Sequence, residues 1–142
     1  MIKLIHSYWA YLTLIVLVVA VINAIIGFFS KKEYKLGDLR IGLFALIVSH
    51  IQFLLGLILY FISPLFASWS EAGAKTIMKD SYLRKMLVEH PSMILIAITL
   101  ITIGWSLHKK QKTSQGAFGK IAFFYALALL LILFVIPWNV WI

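Results

Sequence analysis

Hydrophobic positions gather in four long, nearly unbroken runs, without the strict alternation of a half-buried strand or the one-sided stripe of a soluble helix. The runs extend from about Leu4 to Phe29, Leu39 to Ser63, Met86 to Leu107 and Ile121 to Trp138. Each is close to the ~20 residues that carry an α-helix across a hydrocarbon core. Four transmembrane helices are therefore predicted, at about 4–29, 39–63, 86–107 and 121–138. The first is interrupted only by His6, Ser7, Thr13 and Asn23. It is longer than the ~7–15-residue apolar core of a secretory signal and lacks a small-residue cleavage site, so it reads as a retained helix.

The segments between the runs give the topology. Residues 30–38 and 108–120 are short and basic; with Arg40 at a helix entrance they collect Lys31, Lys32, Lys35, Lys109, Lys110, Lys112 and Lys120. The opposite side has Lys3, Lys75, Lys79, Arg84 and Lys85. The positive-inside rule then puts the two short loops in the cytoplasm and both termini in the periplasm, in a bacterial inner membrane. Trp9, Trp69, Trp138 and Trp141 fall near the outer interface and Trp105 near the inner one, where indole rings favour the headgroup level. The longest connection, 64–85, opens on Ser63-Pro64. Within it, residues 74–85 carry Ile77, Met78, Tyr82 and Leu83 spaced as in a short amphipathic helix on the outer surface. Short loops make neighbouring helices antiparallel, so one all-α domain over 1–142 is expected, an up-down-up-down four-helix bundle. Ala122 and Ala126 offer the fourth helix a small-xxx-small face for close packing.

Composition agrees. The chain is 63% hydrophobic and 13% charged, far from the balance of a soluble domain. Its net charge of +8 comes from loops flanking apolar runs, which speaks for membrane topology and against nucleic-acid binding. There is no cysteine, hence no disulfide and no thiolate chemistry. Phosphate-cradling glycine loops, H-E-x-x-H and serine elbows are absent. Glu33, Asp38, Glu71, Asp80 and Glu89 lie in loops or at helix ends, so carboxylate-based transport lacks its usual parts.

Chemistry is left to the histidines. His6, His50 and His90 fall within apolar runs and His108 ends the third beside Lys109 and Lys110. Ionisable residues in a bilayer are functional candidates, and neutral imidazole is a common ligand of haem iron between bundle helices. Two histidines that share a haem must lie at similar depth on different helices. At ~1.5 Å per residue, His6 lies roughly 16 Å and His90 roughly 10 Å to the outer side of their helix midpoints, and His50 within roughly 2 Å of its own. His6 and His90 match best; His50 with His90 stays open as a second pairing. Arg84 and Lys85, near His90, could pair with haem propionates. Each residue also has a structural alternative. His6 could be interfacial with Tyr8 and Trp9, His50 could bond a neighbouring helix, His108 could snorkel with its lysines, and Arg84 and Lys85 could be a solvated helix end.

Several stretches resemble a small Bacteroidetes-type membrane protein family labelled cytochrome b. They are His6-Ser7-Tyr8-Trp9-Ala10-Tyr11-Leu12, Ser49-His50-Ile51-Gln52, the run Gly56 to Pro64, Glu89-His90-Pro91-Ser92-Met93 and Ile136-Pro137-Trp138. A more limited similarity is to one half of haem A synthase, whose four-helix half holds haem between histidines at the outer ends of two helices. Its intervening helix carries a Gln-…-Gly pattern like Gln52-Phe53-Leu54-Leu55-Gly56. That similarity implies His6 and His90 as axial pair. The synthase's Glu-x-x-His-Arg motif is missing around His6, so haem binding carries over and haem oxidation does not. The expectation is a membrane protein with one bis-histidine haem b near the outer face, an electron carrier that meets quinol or a periplasmic redox protein. The alternative is a cofactor-free accessory or scaffold subunit of a larger membrane complex.

Overall fold

A computed structural model describes residues 1–141, apart from the side chain of Val140. Among these the chain is helical throughout, with four helices long and apolar enough to cross a membrane. They are α1 (Ile2–Ser30), α2 (Leu36–Ile62), a continuous helical stretch Ser81–Lys109, and a last helix Ser114–Val135. The protein is a multi-pass helical membrane protein. Between α2 and the third span lie a 3₁₀ turn (Pro64–Ala67), α3 (Ser68–Glu71) and α4 (Ala74–Lys79). The third span comprises α5 (Ser81–Arg84), one π turn (Lys85–Glu89) and α6 (His90–Lys109). The last span is α7, and α8 (Trp138–Trp141) follows it.

Polar side chains set the helix ends. Asp38 in the first turn of α2 reaches back to the Lys35 N–H at 2.9 Å, and Thr113 Oγ1 accepts the Gly116 N–H at the start of α7. The Thr113 cap starts α7 at Ser114, seven residues before the apolar run begins, because capping chemistry and not hydropathy decides a helix start. At its other end Pro137 follows closely and the helix stops at Val135. The stretch 74–85 is two short helices and not one. Asp80, extended at φ −88° and ψ 119°, ends α4 and caps α5 by accepting the Tyr82 and Leu83 N–H groups at 3.0 Å each.

α1 packs on α2 and α7, and α6 on α7 and α2, so that α1 and α6 face each other across the bundle. The shared core is Leu17, Ala20 and Ala24 of α1, Ala45 and Val48 of α2, Ala97 and Ile101 of α6, and Ile121, Tyr125 and Ala128 of α7. Small residues let the backbones approach. The tightest places are Gly27, where a Cβ would lie 2.5 Å from the Phe118 ring, and Gly104, where it would lie 2.5 Å from Phe124 Cβ. Ala122 and Ala126 are half-buried beside these contacts. The outer surface is apolar: Phe134 is 78% and Leu130 64% exposed, as lipid-facing side chains must be.

Candidate functional site

The first turns of α1 lie against the second half of α2. Trp9 Nε1–H donates to the Val48 carbonyl at 2.9 Å, and the Gln52 amide nitrogen donates to the His6 carbonyl at 2.9 Å. One helical turn beyond Gln52 the same face of α2 presents Gly56. A Cβ built there would lie 3.0 Å from His6 Cε1, so the missing side chain is what leaves room for the imidazole. His6 Nδ1 is enclosed by protein and has no hydrogen-bond partner among the described residues; the same holds for Gln52 Oε1 and Ser49 Oγ. An enclosed polar atom without a partner costs about 1–3 kcal/mol, so His6 and Gln52, which meet at one helix interface, call for a cause.

His90 comes from the opposite corner of the bundle. Its Nδ1 lies 3.1 Å from the carbonyl oxygen of Val135, the last residue of α7, whose carbonyl has no partner within its own helix. A ring nitrogen bonded to a carbonyl must carry the proton, so Nε2 keeps the lone pair. Metal-ligating histidines are oriented in this way, one nitrogen held by an outer acceptor and the other presented. His6 and His90 lie toward the same end of the bundle, His6 against Gln52 and Gly56 of α2 and the turn before His90 against Tyr60 of the same helix.

The segment that delivers His90 is unusual, and Pro91 explains it. Proline has no N–H to give the carbonyl four residues back and its ring crowds that carbonyl. The helix widens into the π turn Lys85–Glu89 just before His90, and the freed Leu87 carbonyl accepts the Tyr60 hydroxyl at 2.9 Å. That hydroxyl accepts the Trp69 indole N–H at 3.0 Å. A single proline therefore ties α2, the connection after it and the third span into one hydrogen-bonded joint beside His90. The sequence signal was Pro91 itself; Tyr60 and Trp69 carry none that links them to it.

The other sequence candidates lie as follows. Arg84 pairs with Glu89 (2.9 Å) and donates to the Met78 carbonyl (2.8 Å). Lys85 opens the π turn and makes no ion pair among the described residues. His50 has both ring nitrogens engaged, Nδ1 with the Leu46 carbonyl at 2.7 Å and Nε2 with Thr102 Oγ1 of α6 at 3.1 Å. His108 is 2% exposed and does not snorkel with its lysines. Its Nδ1–H bonds the Trp105 carbonyl at 2.6 Å and its Nε2 accepts the Tyr34 hydroxyl at 2.8 Å, so the loop before α2 covers it. Burial first, then the Asp38 carboxylate, push the Tyr34 hydroxyl up to about 12, so it remains a donor across the neutral range.

The donor set can be tested against a metal. Among the described residues no three His, Cys, Asp or Glu side chains gather as a metal-ion group. A pair of histidines suits an iron whose other ligands come from a macrocycle, and so fits haem. No family model matches the chain, and no curated protein or solved structure shows significant similarity to it.

Proposed function

We propose that the protein is a membrane cytochrome b, with His6 of α1 and His90 of α6 holding one haem b between diagonal helices. The observation that carries the reading is the pairing of an enclosed, unpartnered His6 nitrogen with a His90 ring oriented by the Val135 carbonyl. Held by His6 and His90, a haem would supply one-electron transfer. The Val135 carbonyl would orient the His90 ring, Gly56 would leave room for the His6 ring, and Lys85 would be the cation for a propionate. His50, with both nitrogens engaged, remains the reserve ligand and would have to release Thr102 to serve.

An up-down-up-down order is supported by the contacts between helices. Gln52 meets His6 while Asp38 meets Asn23, and His90 meets Val135 while Gly104 meets Phe124. The basic loops then face the cytoplasm, and the termini, α4, α5 and the His6–His90 end face the periplasm. This orientation in a bacterial inner membrane places the site within reach of quinol or a periplasmic redox protein. Ile77, fully buried while Met78 and Tyr82 are about half exposed, supports α4 and α5 as an amphipathic cover on that end.

The test is a reduced-minus-oxidised absorption spectrum of the detergent-purified chain, expressed with haem supplied, together with haem quantified per chain. A sharp b-type α band with about one haem per chain is expected. A colourless, folded protein would overturn the proposal and leave the accessory-subunit reading.

A further inference from the structure

The opposite end of the bundle carries a second feature that haem does not use. A cavity of about 600 Å³ opens beside the turn between α6 and α7. One wall is apolar, made by Phe28, Phe123 and Phe124, and its floor is Gly119, where a Cβ would come 3.2 Å from the Phe28 ring. Its polar rim has Gln111 and Lys120. A neighbouring cavity of about 380 Å³ shares Gln111 and Thr113 with it and adds Lys109 and Lys112. Among the described residues no carboxylate lines either space. Asp38, the buried acid at this end, is already committed to Lys32 at 2.8 Å, the Lys35 N–H and Asn23.

Lys109, Lys112 and Lys120, none of them ion-paired among the described residues, select an anion. The aromatic wall adds a requirement that a free anion does not meet, because Phe123 is 62% exposed on the lipid-facing side. A ligand that satisfies both has a phosphate and an acyl chain joined in one molecule. We propose that this groove is a binding site for an anionic phospholipid of the leaflet that the basic loops face. Its phosphate lies among Lys112, Lys120 and Gln111, and one acyl chain runs along Phe28, Phe123 and Phe124. Clustered lysines next to a membrane-spanning helix attract anionic lipid in this way.

The experiment is a thermal unfolding series on the full chain in detergent, with added phosphatidylglycerol, phosphatidylcholine or inorganic phosphate. Phosphatidylglycerol should raise the unfolding midpoint saturably, and the other two should not. The Lys112→Gln/Lys120→Gln double variant should weaken the phosphatidylglycerol effect about tenfold or more, whereas Lys75→Gln/Lys79→Gln at the far end should leave it unchanged. Equal stabilisation by phosphatidylcholine overturns the charge selectivity, and stabilisation by inorganic phosphate alone overturns the lipid. Retained preference in the Lys112/Lys120 variant, or its loss in the Lys75/Lys79 variant, overturns the location.

Discussion

At His6, the proposed site depends on an absence at Gly56. The imidazole lies where a Cβ of residue 56 would come 3.0 Å from Cε1, closer than an ordinary van der Waals contact. Gly56→Ala leaves α2 intact, since alanine favours helix, but pushes the ring by a few tenths of an ångström. A displaced ligand weakens metal binding about tenfold or more, as loss of an orienting neighbour does. Haem titration of the apoprotein measures this, with circular dichroism as the control for folding; unchanged affinity would mean that His6 is not held by this contact. That His6 and His90 lie toward the same end of the bundle was legible from helical rise alone, because depth in a bilayer is a one-dimensional quantity. The burial of His108 was not, because its partner Tyr34 lies 74 residues away in the chain and no local pattern connects them.

Among the elements, the third span shows how one residue reshapes a helix. Pro91 releases the Leu87 carbonyl, and the Tyr60 hydroxyl takes it up. Tyr60→Phe keeps the ring and removes that bond, leaving a carbonyl of nearly buried Leu87 without a partner. A loss of about 1–3 kcal/mol is expected in denaturant unfolding in detergent, together with a shifted or broadened haem band, because His90 sits just beyond the π turn. A variant as stable as the parent would mean that solvent or lipid replaces the hydroxyl. Hydropathy revealed the four spans because bilayer thickness imposes their length. It misplaced the start of α7 and read 74–85 as one helix, since those boundaries depend on the Thr113 and Asp80 caps, which are polar events at single atoms.

The molecule as a whole has a histidine end, with His6 and His90, and a lysine end, with Lys109, Lys112 and Lys120. The chain contains no cysteine, so single introduced cysteines report the side of the membrane without background. Lys112→Cys should react with a membrane-impermeant maleimide only after the cells are opened, and Lys75→Cys should react in intact spheroplasts. The reverse pattern would invert the bundle and move the histidine site to the cytoplasmic side. The proposed orientation rests on the charge imbalance between loops alone, because packing within the bundle does not depend on it. The central claim, that one iron is held by His6 and His90 together, is tested most directly by haem content and reduced-minus-oxidised spectra of His6→Ala, His90→Ala and His50→Ala beside the parent chain. Each of the first two should lose the b-type band while remaining folded, and His50→Ala should keep it. Intact bands in His6→Ala and His90→Ala, or loss only in His50→Ala, would contradict it.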